Sequence, residues 1–412
     1  MGRSATIVML AVGLLPGRFA YAIAPGTVIT AANVDEAGDL LLPGVREAVR
    51  RGMRIEVVEP RPMRWRRAYQ SATEQHAAQV RLGPDGTLQN YIAGLPFPNL
   101  KADDDRAGLR AMWNHAFGPW IADDAQSWSH EWEVGSIDPG RPMAVEARQR
   151  DDVERHKFLR VRGRTAVEPM PALPNAGPNV FSMEIYGPSL PVFQTLAPSG
   201  PLLLHRHFDS SEPDAWYWVA SERKARRLSP KLLYEAPGDT VVDINTYWGF
   251  SAPLGSYTFR LLGERRMLGA IHAQRYPLAW CPGNGDFAPC DQWEERDALV
   301  VEATATKPYD IYSKRVIVLD KHAWVVLATD LYDREGRLWK TYVNFWSYRP
   351  DVRGRSDDEW GYQLGTTCVD LLENRALRSR LPGTRTLADA VDINGGLDAG
   401  IFSQGALEQA RD

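Results

Sequence analysis

The chain has 412 residues, of which 44% are hydrophobic and 24% charged, ordinary globular values that exclude global disorder. A formal net charge of -4 excludes a general nucleic-acid binder, which needs a basic excess to face phosphates. Aromatics reach 10% with 14 tryptophans, which favours aromatic-lined sheets or a ligand cavity over a plain helical bundle.

The N-terminus starts basic at Arg3 and continues into an eleven-residue apolar stretch, Ala5 to Leu15, too short to span a bilayer. Pro16 and Gly17 break it, and Ala20–Tyr21–Ala22 offers the small-x-small pattern of a cleavage site. The bland alternative is a buried N-terminal helix. The coincidence of features predicts a signal peptide over 1–22, cleavage after Ala22 and a periplasmic mature chain over 23–412. Losing Arg3 and Arg18 takes the net charge from -4 to -6. No cysteine stands at the cleavage position, and no second apolar run is long enough to cross a membrane.

The first part of the mature chain, to about residue 150, reads as helices and loops. Leu40, Leu41, Val45 and Val49 fall near helical spacing. An Asp85–Gly86 turn follows, and then "DDDRAGLRAMWNHAF" reads as a helix with acids at its start. From about residue 150 the period is mostly two. "HKFLRVRGRTAV" alternates charged and apolar residues, the pattern of a strand with one wet face. A proline-rich crossing from Ala166 to Pro201 is a candidate boundary. "PLLLHRHFD" and "AWYWVAS" read as strands, followed by a turn and a basic return strand through Arg223, Lys224, Arg226 and Arg227. Lys314 to Tyr348 reads as three antiparallel strands joined by turns at Asp320–Lys321 and Asp333–Gly336. In the third of them Trp339, Thr341, Val343 and Phe345 share a face, expected to be concave. "TCVDLLENRALRSRL" returns to helical spacing, and the last ten residues read as a short helix or frayed end.

Several blocks carry a resemblance: "QVRLGPDGTLQNYIAGLPFPNL", "MWNHAF", "RRLSPKLLYEAPGDTVVDINTYWGF" and "VVEATATKPYDIYSKRVIVLDKHAWVVLATDLYDREGRLWK". From about Thr27 to the C-terminal region the chain resembles a proteobacterial family of unknown function often labelled outer-membrane-lipoprotein-sorting-like. The resemblance implies an α+β, mainly β fold like the carriers LolA and LolB. That fold is a large, strongly curved antiparallel sheet, an open half-barrel with helices over the concave face and an N-terminal helical segment. It also implies export, a hydrophobic cargo such as a lipid or lipoprotein, transient membrane contact, and partnership with an RND-type transporter or an outer-membrane protein. The family brings no catalytic residues. "HRHFD" and "CPGNGDFAPC" depart from its pattern as local elaborations.

For ligand binding, Trp216, Trp218, Trp248, Phe250, Trp324, Trp339 and Phe345 are the candidate walls of a hydrophobic cavity. Arg223, Lys224, Arg226 and Arg227 are the candidate rim for an anionic head group. The opposing reading makes the aromatics plain core and the basic residues a solvated face. His205, His207 and Asp209 share a strand face at a spacing a metal could use, a weak signal on which a periplasmic hydrolase of lipid or glycan is the rival function. Cys281 and Cys290 bracket a turn-rich loop and read as a disulfide in an oxidising compartment, with a metal site as the alternative. Cys368 reads as a small buried hydrophobe. No nucleophile elbow, phosphate loop or His-Glu-x-x-His stretch is present, and no cofactor is expected.

Overall fold

The computed structural model describes residues 22–409 except 129, 150–154, 176, 178, 188–200, 210, 220, 236–240 and 384. The signal-peptide region therefore lies outside the described residues. The N-terminal part contributes strands β1 (Val28–Ile29), β2 (Ile55–Val58), β3 (Arg81–Leu82) and β4 (Leu88–Gln89). Next come β5 (Asp124–Trp128), β6 (Glu131–Ser136), β7 (Ala144–Gln149), β8 (Arg155–Arg160) and β9 (Val180–Tyr186). The centre holds β10 (Leu202–His207), β11 (Asp214–Val219), β12 (Lys224–Arg227), β13 (Tyr257–Gly269) and β14 (Gln292–Ala305). The last six are β15 (Lys314–Asp320), β16 (Val326–Tyr332), β17 (Leu338–Pro350), β18 (Glu359–Asp370), β19 (Arg375–Arg380) and β20 (Val391–Ile393). The helices are α1 (Pro43–Arg50), α2 (Arg67–His76), α3 (Ala107–Ala116), α4 (Leu387–Ala390) and α5 (Gln404–Gln409).

The fold is mainly β, with its long strands in two sheets. The larger has eleven strands in the order β1-β2-β14-β15-β16-β17-β18-β19-β6-β7, with β13 pairing along the other edge of β14. Only β2–β14 is parallel among its pairs. The second has seven, β12-β11-β10-β9-β8-β5-β20. β9 emerges from within the proline-rich crossing and pairs with both β8 and β10, so the second sheet runs straight through that stretch.

Each face of the larger sheet has its own cover. On one, Thr341, Val343 and Phe345 of β17 meet α1. The Gly44 amide donates to Asp330 Oδ2 at 2.8 Å, and a Cβ at Gly44 would stand 2.3 Å from Asp330 Oδ1, so only glycine admits this approach. Val343 and Phe345 are fully buried there, each contributing about 2–3 kcal/mol of apolar burial. The opposite face looks toward α2, α3, the turn-rich segment 243–251 and the second sheet. In the second sheet the face bearing Leu159, Met183 and Leu203 is sealed by Phe402 and Leu407 of the C-terminal segment. The other face, which carries His156 and Arg160, turns toward the interior, so β8 does not have the wet face its charges predict.

The region 366–381 is a β-hairpin, which corrects the helical reading of "TCVDLLENRALRSRL". β18 pairs with β17 and β19, and β19 with β6. Asp370 Oδ1 accepts the amides of Leu372 and Glu373, and Asn374 takes φ 53°, which together turn the chain back. The local apolar spacing fits a helix, but ladder bonds to two neighbouring strands override it.

Candidate functional site: two aromatic chambers

Directly opposed residues of an antiparallel pair share a face. In the second sheet Phe158 is opposite Glu184, and Arg160 is opposite Ser182. Glu184 is in turn opposite Leu204, and Ser182 opposite Arg206. These side chains therefore look inward, between the sheets, where two cavities lie side by side.

The first, of about 110 Å³, lies between α3 and the second sheet, against Phe117, Phe158, Arg160, Glu184 and Arg206. The second, of about 130 Å³, lies between the two sheets, against Trp132, His156, Tyr186, Tyr342 and Thr366. Trp248 lines both. Its indole stands between them, 5.2 Å from the His156 ring, 6.3 Å from Tyr186 and 6.5 Å from Trp120 between centroids. Two surface grooves of about 800 and 710 Å³ are wider, but the larger is lined largely by charged side chains, such as Asp333, Arg334 and Arg337. The inner chambers have the mostly apolar, aromatic walls that ligand sites use.

The larger sheet holds the partition in place. Trp248 sits at φ 55° and Gly249 at φ 89°, and a Cβ at Gly249 would stand 2.4 Å from Val326 Cγ1. Asn344 Nδ2 donates to the Trp248 carbonyl at 2.9 Å, and Thr329 Oγ1 to that of Gly249 at 2.9 Å. The fully buried Arg315 donates to Thr246 Oγ1 at 2.8 Å and lies 3.6 Å from Asp243. A non-glycine residue held at positive φ by bonds from three strands is a strained, over-determined position.

The chambers differ in electrostatics. In the first, Arg206 Nε donates to Glu184 Oε1 at 2.5 Å and Nη2 to Oε2 at 3.3 Å, while Tyr186 Oη also donates to Glu184. Burial pushes the Glu184 carboxyl up, but the charge and hydrogen bonds of Arg206 outweigh it and hold the group below its usual range. In the second, burial pushes both histidines down to about 4, with mutual repulsion adding to the shift at His130 and the Glu184 charge opposing it at His156. Both imidazoles are neutral at neutral pH.

Of the aromatics singled out from sequence, Trp248 and Phe250 reach the chambers. Trp216 and Trp218 stand on the other face of the second sheet. There Trp216 packs on His205, whose Nε2 meets the Phe402 carbonyl at 3.0 Å. It is the intervening Tyr217 that shares parity with Leu202 and the inner face. Phe345 is core on the α1 side, 6.1 Å from Trp293. Trp324 is buried beside α3, and Trp339 lines the larger surface groove with its indole donating to Asp370. In β17 the face turned to the chambers is that of Tyr342 and Asn344, opposite to the expected one.

Arg226 and Arg227 lie exposed on the edge strand β12, paired with Glu222 and Asp214. Arg223 turns the chain at φ 53°, and Lys224 is exposed beside it. His205, His207 and Asp209 are not brought together. His207 faces Asp214 at 3.3 Å, and Asp209 accepts the Ser211 amide. Among the described residues no group of three His, Cys, Asp or Glu is arranged to hold a metal. Cys281 and Cys290 are joined as a disulfide, and Cys368 is buried, its thiol pushed up to about 12 by burial. Sequence reasoning missed Arg160, Glu184, Arg206, His156 and Tyr342. The available signal was the alternation His156–Phe158–Arg160, an apolar residue flanked by polar ones at period two.

Fold and chambers together define a two-sheet, mainly β protein with a divided internal cavity. The chain belongs to the family described as "Protein of unknown function (DUF1329)", which it matches over residues 28–407. No curated protein matches it. Similar solved structures include an outer membrane lipoprotein-sorting protein domain from Vibrio parahaemolyticus, 14% identical with TM-score 0.48, covering 74% of this chain and 100% of that one. A DUF1329 family protein from Desulfovibrio piger is 16% identical with TM-score 0.40, and the LolA superfamily protein NE2245 from Nitrosomonas europaea is 12% identical with TM-score 0.32. Each of these two covers 70% of this chain and 92% of its own.

Proposed function

We propose that the protein is a periplasmic carrier that holds a slender hydrophobic molecule, a lipid, lipoprotein acyl chain or similar cargo, between its two sheets. One observation carries this reading: two aromatic-walled chambers meet at the side chain of Trp248. Neither chamber alone reaches the roughly 300 Å³ at which small-molecule sites begin. Moving the indole aside joins them into one elongated slot, a shape for a chain and not for a bulky polar substrate. Binding and release proceed by displacement of segment 243–251 and α3, with no covalent step. The donor or acceptor is an RND-type transporter or an outer-membrane protein, reached by transient membrane contact. Among the described residues no helix is long and apolar enough to cross a membrane. In this reading residues 1–22 are removed on export and 23–412 work as one domain, which N-terminal sequencing of the periplasmic protein checks.

Native mass spectrometry of protein purified from the periplasm without detergent tests the carrier reading. A stoichiometric amphiphile released on denaturation is the expected result. A clean apo mass, unchanged after incubation with envelope lipids, overturns it.

A further inference from the structure

Arg160 is only 3% exposed, and it lines the first chamber with its guanidinium 5.6 Å from the Phe117 ring centroid. Arginine is almost never fully buried without a partner. Yet among the described residues no carboxylate oxygen lies within 4.0 Å of this guanidinium. Its Nη1 makes one long bond to the Gly163 carbonyl at 3.4 Å, and its Nη2 has no hydrogen-bond partner. Directly opposite on β9, Ser182 is 1% exposed, lines the same chamber, and has no partner for its Oγ. Nearby carboxylates are committed elsewhere. Glu184 is taken by Arg206 and Tyr186, and Asp123 Oδ2 accepts the amides of Thr165, Ala166 and Val167. The chamber thus holds one closed ion pair and one cation that no carboxylate meets directly, in apolar surroundings where such a charge is destabilising.

We propose that Arg160 and Ser182 form the head-group site of the cargo, and that the cargo is an apolar chain ending in a carboxylate. The inference rests on the carrier reading and narrows it to a substrate class. The planar guanidinium fork matches a carboxylate edge to edge, and the serine hydroxyl donates a third bond. A phosphate monoester offers the same compact anionic chemistry. One unpaired cation neutralises a monoanion and leaves a dianion in excess, so the carboxylate is the better match. The chain then lies along Phe117, Phe158 and Phe181 toward Trp248.

The test is isothermal titration of the purified protein at pH 8 with dodecanoate, 1-dodecanol and dodecyl phosphate. Dodecanoate is expected to bind at least about tenfold more tightly than dodecanol, the scale of a hydrogen-bonded charge. Arg160→Gln should collapse that ratio to within about twofold, Arg160→Lys should restore part of it, and Ser182→Ala should reduce it severalfold. Equal affinity for acid and alcohol in the unaltered protein overturns the head-group site while leaving the carrier reading standing, and this comparison needs no variant to fold. A ratio that survives in Arg160→Gln also overturns it, and dodecyl phosphate binding tightest overturns the carboxylate assignment. No binding of any of the three overturns the carrier reading together with this one.

Discussion

The two chambers share an indole and an aromatic wall, yet one is charged and the other neutral. The first is bordered by Arg160, Arg206 and Glu184, the second by His130 and His156 held uncharged by burial. Both are walled on one side by the inner face of the second sheet, the first against α3 and the second against the larger sheet. The difference is set by which side chains the inward parity of β8 and β9 delivers at each end. His156 and Arg160 are four residues apart on one strand face, and they put a neutral ring in one chamber and a cation in the other. A polarity gradient along one strand gives an amphiphile a direction.

The largest effect should come from unbalancing the charged chamber. Glu184→Gln leaves Arg206 buried beside Arg160 with neither charge matched, and it should cost about 3–5 kcal/mol in urea unfolding. An effect below about 1 kcal/mol would mean that water reaches the pair and that the chamber is not dry.

Removing the partition comes next. Trp248→Ala should cost about 2–3 kcal/mol, less than a fully buried tryptophan because the indole borders empty space on both sides. Trp248→Gly loses the same side chain but relieves the strain of φ 55°, so it should unfold about 1 kcal/mol later than the alanine variant. Both should admit a longer alkyl chain than the unaltered protein. If chain-length selectivity does not move, the chambers work separately.

The neutral chamber is probed by acid. The folded pKa values of His130 and His156 lie near 4, below the ordinary 6.5, so the unfolded chain takes up protons that the folded chain refuses. Their contribution to stability is present above pH 6.5 and is lost as pH falls toward 4, on the order of 1–2 kcal/mol for each ring. Replacing both with asparagine should flatten this part of the profile, measured as urea midpoints at pH 7 and pH 4.5.

Much of this was legible in the sequence, and the failures have physical causes. The three strands through Lys314–Tyr348 were readable because each turn carries its own signal, Asp320 and Asp333 accepting nearby amides. The hairpin at 366–381 was not, because Leu371, Leu372 and Leu377 satisfy helical spacing locally while the decisive hydrogen bonds come from β17 and β6. Period two shows that Trp216 and Trp218 share a face but not which face is inward. That choice is made by the C-terminal segment, almost two hundred residues away, whose Phe402 and Leu407 cover the tryptophan side. Arg160 was unreadable for a related reason: a charge on an alternating strand looks solvated until the covering of both faces is known.

The basic strand gives the smallest expected effect and sharpens the comparison most. Lys224, Arg226 and Arg227 lie exposed on β12, the edge of the second sheet, with Arg226 paired to Glu222 and Arg227 to Asp214. Exposed pairs of this kind contribute about 0–1 kcal/mol each. Charged side chains on an edge strand discourage pairing with another chain's strand. Replacing all three with threonine should therefore leave the urea midpoint nearly unchanged and dodecanoate affinity within about twofold, while raising concentration-dependent self-association in sedimentation velocity. A drop in dodecanoate affinity of tenfold or more, with the protein still monomeric, would move the head group out of the buried chamber and onto this edge. The anionic end would then sit in solvent, and the unmatched charge of Arg160 would need a different explanation.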